Sequence, residues 1–127
     1  MATKKIPQSA ISVQINRLAG RTVKTYVLKA LIRSSGAILA NTAQPANWLL
    51  FADKIQMRQI VADIEQSGEP SWQWLAKLVD EKYHQSSYKE LLNLVNRNPG
   101  ISVKQLVGMT DCTLAEARKV IDDVLEL

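Results

Sequence analysis

Residues 101–125 read Ile-Ser-Val-Lys-Gln-Leu-Val-Gly-Met-Thr-Asp-Cys-Thr-Leu-Ala-Glu-Ala-Arg-Lys-Val-Ile-Asp-Asp-Val-Leu, and this pattern predicts two helices joined by a tight turn. Ser102 and Gln105 have the spacing of a capping box, in which two side chains satisfy free backbone N–H groups where a helix begins. Thr113 and Glu116 repeat that spacing for the second helix. The turn is therefore expected around residues 110–111, where aspartate tolerates a left-handed backbone.

One further helix is expected before this pair. Ser87 and Glu90 have a third capping-box spacing, and residues 98–100, Asn-Pro-Gly, end the helix. We therefore predict a three-helix unit over residues 87–125, in which Cys112 is a small buried core residue. The positions of the helix pair that are expected to face inward are Leu106, Met109, Cys112, Ala117, Ile121 and Val124.

The composition is that of a globular protein. Of the 127 residues, 46% are hydrophobic and 22% are charged, which allows one core or two small cores that share an interface. No apolar run approaches the ~20 residues that span a bilayer, and the N-terminus lacks the pattern of a signal peptide. A single cysteine agrees with a reducing compartment. We therefore expect a soluble, cytoplasmic protein without a membrane partner.

Charge is distributed unevenly along the chain. Residues 1–52 contain seven Lys or Arg and no Asp or Glu, whereas residues 53–127 contain nine basic and twelve acidic side chains. A basic segment without acidic residues of its own favours a polyanionic partner. Residues 1–7 are expected to form a short basic arm. The basic residues of the first part are Lys4, Lys5, Arg17, Arg21, Lys24, Lys29 and Arg33.

Two helices are expected within this basic part. The first runs from Ser9 to Gly20, because its apolar residues recur at helical spacing. The second is capped by Thr22 and ends at Gly36. The apolar residues of the first helix are Ile11, Ile15 and Leu18. The inner face of the second helix is expected to contain Val23, Val27, Ala30, Leu31 and Ser34, and its outer face Arg21, Lys24, Thr25, Lys29 and Arg33.

A β-hairpin is predicted directly after the second helix, at residues 37–52. Residues 37–41 and 47–52 are short apolar segments, and Pro45 between them argues against a continuous helix. The order of helix, turn, helix and hairpin resembles the winged helix-turn-helix unit of bacterial transcription regulators. The resemblance implies that residues 42–46 form the tip of a wing.

The rest of the chain is predicted to be helical. Asp53 caps one helix, and Pro70 starts another, whose aromatic and aliphatic face is expected to form core. The predicted fold class is therefore mainly α, with helix-turn-helix units and a short hairpin wing at residues 37–52. We divide the chain into a basic winged-helix-like unit, residues 1–66, and a helical unit, residues 67–127, that contains the C-terminal three-helix bundle.

Catalysis is not expected. The chain has one histidine, His84, and one cysteine, which do not supply the ligands that a metal site needs. Neither a glycine-rich phosphate loop nor a nucleophile elbow is present in the sequence. The acidic pairs at residues 80–81 and 122–123 are adjacent on helices, so their side chains diverge by about 100°. We therefore predict no catalytic residue, no metal and no cofactor.

The resemblance implies a small DNA-binding transcription regulator that would associate with the nucleoid. The residues predicted to contact duplex DNA are Arg17, Arg21, Thr22, Lys24, Thr25, Lys29 and Arg33 in the N-terminal unit, with Arg118 and Lys119 in the C-terminal unit. Acidic residues around Arg118 and Lys119 would repel phosphate, which favours dimerisation or a protein contact for that unit. Two alternatives stay open: the protein binds structured RNA or a ribonucleoprotein, or it is an adaptor whose basic half docks on an acidic protein.

Overall fold

The computed structural model describes residues 10–110 and 112–126. It confirms the predicted fold class, because the protein is mainly helical with one small three-stranded antiparallel sheet. The chain divides into two compact units, Met1–Tyr83 and His84–Leu127. The sequence-based boundary, between residues 66 and 67, falls within the first of these units. The predicted basic arm and Asp111 of the predicted turn lie outside the described residues.

The first element is a strand, and the predicted helix from Ser9 to Gly20 is wrong. Strand β1, Ile11–Ile15, pairs antiparallel with β3, Trp48–Ala52, whose other edge pairs with β2, Ile38–Asn41. Val13 and Ile15 are buried, and the polar residues between and beside them are exposed. Alternation between two faces is the periodicity of a strand, and β-branched residues favour it.

The predicted hairpin is confirmed. Strands β2 and β3 are antiparallel, with Ala40 opposite Leu49. The loop between them closes on itself, because the Thr42 N–H donates to the Asn47 carbonyl at 3.2 Å and the Thr42 hydroxyl donates to the Gln44 carbonyl at 2.9 Å. Leu50 in the middle of β3 is fully buried, so the central strand of the sheet belongs to the core.

Two helices connect β1 to β2. They are α1, Leu18–Arg21, and α2, Thr25–Ser34. The predicted helix start at Thr22 is wrong, because Thr22 has an extended backbone and Lys24 is the residue that precedes α2. The predicted end is confirmed at Gly36, where φ is +92°.

The predicted inner face of α2 is wrong for four of its five residues, because only Leu31 packs against the core. Leu28 and Ile32 are buried, whereas Val23, Val27 and Ala30 are exposed. The buried stripe is displaced by one residue from the prediction, which corresponds to a rotation of about 100° around the helix. The observed orientation buries two large aliphatic side chains, whereas the predicted one would have brought alanine and serine into the core.

Two longer helices complete the first unit. Helix α3, Lys54–Ser67, begins with a capping box between Asp53 and Gln56, as predicted for an Asp53 cap. A short 3₁₀ helix, Pro70–Trp72, then leads into α4, Gln73–Arg97. The core of the first unit combines the sheet, α2, α3 and the start of α4. The 3₁₀ helix contributes Trp72 to this core, and α4 contributes Leu75, Ala76 and Val79.

The second unit contains the end of α4 with α5, Val103–Met109, and α6, Leu114–Leu125. Both capping boxes of the helix pair are confirmed. The third, at Ser87 and Glu90, is wrong, because α4 runs unbroken through these residues and Ser87 is buried within it. The buried core of this unit consists of Leu91, Val95, Leu106, Ala117 and Val120.

Two residues predicted to face this core lie at its margin. Met109 is 59% exposed because it is the last residue of α5. Cys112 is half-buried and packs against the core from the segment between α5 and α6. The predicted inward positions Leu106 and Ala117 are fully buried. The helix pair thus forms as predicted, but the residues next to its turn lie at the margin of the core and not inside it.

Candidate nucleic-acid interface

The basic side chains of the first unit are concentrated in residues 17–33, which we call the basic segment. They are Arg17, Arg21, Lys24, Lys29 and Arg33. Within the described part of the chain, none of the five forms an ion pair with a carboxylate. Lys29 is half-buried and the other four are exposed. Among the described residues, the positive charge of the basic segment is therefore not paired with a carboxylate.

Arg17 and Lys24 hold a left-handed backbone. Their φ and ψ angles are 54° and 47° for Arg17, and 49° and 47° for Lys24. A side chain in this region costs about 1–2 kcal/mol, so surrounding contacts must stabilise it. The Arg17 N–H donates to Asn47 Oδ1 at 3.1 Å, and the Lys24 carbonyl accepts from the Val27 N–H at 2.9 Å. These contacts hold the backbone of Arg17 and Lys24 in this conformation at the starts of α1 and α2.

The predicted contact residues Thr22 and Thr25 hold the turn between α1 and α2. The Thr22 hydroxyl donates to the Leu18 carbonyl at 2.8 Å, and it lies 2.7 Å from the Thr25 hydroxyl. Both threonines are half-buried. Their hydroxyl groups are therefore engaged inside the protein, where they stabilise the turn between α1 and α2.

The turn is also anchored by residues of the 3₁₀ helix and of the start of α4, which were not predicted from the sequence. The indole N–H of Trp72 donates to the Val23 carbonyl at 2.8 Å, and the Val23 N–H donates to Ser71 Oγ at 3.0 Å. The indole N–H of Trp74 donates to the Arg21 carbonyl at 3.3 Å. A buried tryptophan N–H usually finds a hydrogen-bond acceptor, so the sequence indicates that such contacts exist. It does not indicate which residue supplies the acceptor.

Three of the five cations lie over indole rings. The Arg21 guanidinium lies 3.6 Å from the centroid of the Trp74 ring. Lys29 Nζ lies 4.1 Å from the centroid of the Trp48 ring, and the Arg33 guanidinium lies 6.0 Å from it. A cation over an aromatic face is attracted by the ring quadrupole but keeps its full charge. The rings therefore help to orient Arg21 and Lys29 without neutralising them, whereas the Arg33 guanidinium also donates to the Leu39 carbonyl at 3.3 Å.

The exposed side of α2 carries an aromatic ring that the sequence analysis did not identify. Tyr26 is 75% exposed, and Val27, the next residue in the helix, is 39% exposed. The apolar spacing that includes Val27 and Ala30 could have revealed this exposed face, but it was used to predict the buried face of the helix. Because α2 is rotated, these apolar residues lie among the cations of the basic segment and face solvent.

The predicted contacts Arg118 and Lys119 lie on α6 of the second unit, in a different electrostatic setting. Lys119 Nζ is 3.4 Å from Asp123 Oδ2, which also accepts a hydrogen bond from the Tyr88 hydroxyl at 2.7 Å. The Tyr88 hydrogen bond, followed by Lys119, holds the pKa of Asp123 below its usual 3.8, and the same bond to Asp123 raises the pKa of Tyr88 above 10.0. Lys119 thus already has an acidic partner, unlike the cations of the basic segment.

The second unit also has an open cavity of about 440 Å³. Its lining mixes apolar and charged side chains, namely His84, Gln85, Tyr88, Lys89, Leu91, Glu116, Lys119 and Val120.

Among the described residues, His, Cys, Asp and Glu form no cluster of three or more that could hold a metal ion. No helix in residues 10–110 or 112–126 combines the length and the apolar character needed to cross a bilayer.

Comparison with known families gives a match over most of the chain. The model of a family described as ribosome recycling factor matches residues 11–125. No curated protein and no solved structure matches the chain. The match overturns the resemblance to winged helix-turn-helix regulators, and with it the prediction of a DNA-binding transcription regulator associated with the nucleoid. Helix-turn-helix units and hairpins recur in proteins of many functions, so their order did not identify the family.

Proposed function

Because the chain belongs to the ribosome recycling factor family, we propose that it binds ribosomal RNA through the basic segment. This is the RNA-binding alternative of the sequence analysis. The observation that supports it is the set of five cations in residues 17–33 that have no carboxylate partner among the described residues. Phosphate oxygens would supply the missing negative charge.

The basic segment is suited to phosphate contacts. Arginine binds phosphate through two parallel N–H groups, and lysine binds it as a point charge. The rings of Trp74 and Trp48 restrict the rotamers of Arg21 and Lys29, so these side chains lose less entropy on binding. With one phosphate per cation, log affinity should fall with log salt concentration at a slope of about −3.5 to −4.5.

A salt series with two nucleic acids tests this proposal. Fluorescence anisotropy would compare a structured RNA hairpin with a DNA duplex of the same sequence. An interface variant carries Arg17→Asn, Arg21→Gln and Lys24→Asn, because asparagine tolerates the left-handed backbone at residues 17 and 24. A control variant removes three exposed charges elsewhere, through Lys77→Gln, Arg97→Gln and Lys104→Gln.

We expect the wild-type protein and the control variant to bind the RNA alike. The interface variant should bind more weakly, with a salt slope reduced by about 2 units. Tighter binding to DNA than to RNA would contradict the proposal. An equal loss in both variants would also contradict it, because the effect would then follow net charge and not the basic segment.

For the second unit we propose a protein contact, either with another copy of the chain or with a ribosomal protein. Three apolar side chains support this: Met109 is 59% exposed, Leu114 57% and Leu125 77%. Light scattering would measure the mass of the wild-type protein and of Leu114→Glu. Self-association predicts a dimeric wild type and a monomeric variant, whereas a monomeric wild type would leave only the contact with another protein.

A further inference from the structure

The exposed side of α2 is apolar in its centre and basic at its margins. Tyr26 is 75% exposed and Val27 39% exposed, and Ala30 one turn later is exposed as well. Within the described residues, the Tyr26 side chain has no hydrogen bond, ion pair or ring contact. An aromatic ring left in water on a helix surface is available for stacking on a flat partner.

Two cations share the side of α2 that carries this ring. Lys29 and Arg33 follow Tyr26 by three and seven residues, which places them on the same side of α2 within two turns. The Lys29 ammonium lies 4.1 Å from the centroid of the Trp48 ring, and the Arg33 guanidinium, 6.0 Å from it, donates a hydrogen bond to the Leu39 carbonyl at 3.3 Å. A flat base on the tyrosine ring and its phosphates on the two cations would therefore fit one stretch of helix surface.

We infer that the exposed face of α2 stacks an unpaired nucleobase on Tyr26, so that the RNA bound by the basic segment contains a loop, a bulge or a single strand. This inference rests on the proposed RNA binding and adds the class of RNA. In an A-form duplex the base faces are covered by their neighbours and the major groove is deep and narrow, so the ring would find no base to stack on. Unpaired bases have free faces and commonly stack on Tyr, Phe or Trp.

An acidic protein segment is the competing occupant of the same face. It could pair its carboxylates with the cations and pack aliphatic side chains on Val23 and Val27. The exposed tyrosine and the family of the chain favour RNA. The two occupants differ in one measurable respect, because only a base would require the aromatic character of residue 26.

The test compares Tyr26→Ala and Tyr26→Phe with the wild type in the full chain. One RNA is a hairpin whose loop contains 2-aminopurine, a fluorescent base that is quenched by stacking, and the other is a fully paired RNA of equal length. We expect Tyr26→Ala to weaken binding to the looped RNA by roughly 5- to 150-fold. Binding to the paired RNA should change little, and the salt slope should match that of the wild type because no charge is removed. Tyr26→Phe should keep both the affinity and the quenching.

Three results would overturn the inference. The first is an unchanged affinity of Tyr26→Ala for the looped RNA, and the second is an equal loss on both RNAs. In both cases wild-type RNA binding stands, and only the stacking role of residue 26 fails. The third is a Tyr26→Ala variant that binds RNA normally but loses an acidic peptide bound by the wild type, which would assign the face to a protein. Failure of the wild type to bind any RNA would instead overturn the proposed function itself.

Discussion

A substitution at Lys24 should separate stability from RNA binding. The φ of 49° and ψ of 47° at this residue lie in the left-handed region, where a side chain costs about 1–2 kcal/mol. Glycine removes that cost, but it adds about 0.5–1 kcal/mol of backbone entropy to the unfolded chain. We therefore expect Lys24→Gly to raise the free energy of unfolding by ~0.5–1 kcal/mol. Its affinity for RNA should fall, because one cation of the basic segment is lost.

Lys29 provides the matched control, because it is also a lysine of the basic segment but lies inside α2. Lys29→Gly should lower the free energy of unfolding by about 1 kcal/mol, because glycine is unfavourable in the interior of a helix. Loss of the contact with the Trp48 ring, at 4.1 Å, should remove a further ~0.5–1 kcal/mol. The two substitutions thus have opposite signs for stability, although each reduces the salt slope of RNA binding by about 0.7–0.9.

Urea unfolding followed by circular dichroism measures the stability of both variants, and anisotropy with the RNA hairpin measures their affinity. A Lys24→Gly variant that is less stable than the wild type would refute the assignment of backbone strain to this residue. If the RNA affinity rose in the more stable variant and fell in the less stable one, the lysines would act through folding and not through phosphate contacts.

Three further predictions concern folding. Gly36→Ala should lower the free energy of unfolding by at least ~1 kcal/mol in thermal denaturation, because φ is +92° and the added Cβ would lie 2.9 Å from Gln56 Nε2. Trp72→Phe should destabilise the first unit by about 1–2 kcal/mol in urea, because a carbonyl of the α1–α2 turn loses its 2.8 Å hydrogen bond. Tyr88→Phe should be less stable than the wild type at neutral pH. That difference should shrink as pH falls through the lowered pKa of Asp123, and also as pH rises through the raised pKa of Tyr88. A stability difference between Tyr88→Phe and the wild type that stays constant from acidic to strongly alkaline pH would contradict this prediction.

Local signals made part of the fold predictable. A capping box is encoded by two residues three positions apart, so the starts of α5 and α6 could be read at Ser102 and Thr113. The hairpin followed from two apolar segments around Pro45. Strand β1 was missed because an i, i+4 apolar pair such as Ile11 and Ile15 fits both a strand and a helix, and only the burial of Val13 between them decides the matter.

The features that tertiary contacts decide were not accessible from the sequence. The orientation of α2 depends on which of two adjacent aliphatic stripes packs on the sheet, and a one-residue error placed Val27 inside and left Tyr26 unnoticed. The cations were found from composition alone, whereas their anchors lie far along the chain: Trp74 contacts Arg21 across 53 residues. Shape alone also gave the wrong family, because a helix pair with a hairpin is shared by unrelated proteins.

Sedimentation of the full chain with purified ribosomal subunits tests the proposed RNA binding most directly. It compares the wild type, the interface variant with Arg17→Asn, Arg21→Gln and Lys24→Asn, and the control variant with Lys77→Gln, Arg97→Gln and Lys104→Gln. We expect the wild type and the control variant to sediment with a subunit near physiological salt, and the interface variant to stay in the supernatant. A wild type that stays in the supernatant, or an interface variant that sediments as the wild type does, would contradict RNA binding through the basic segment.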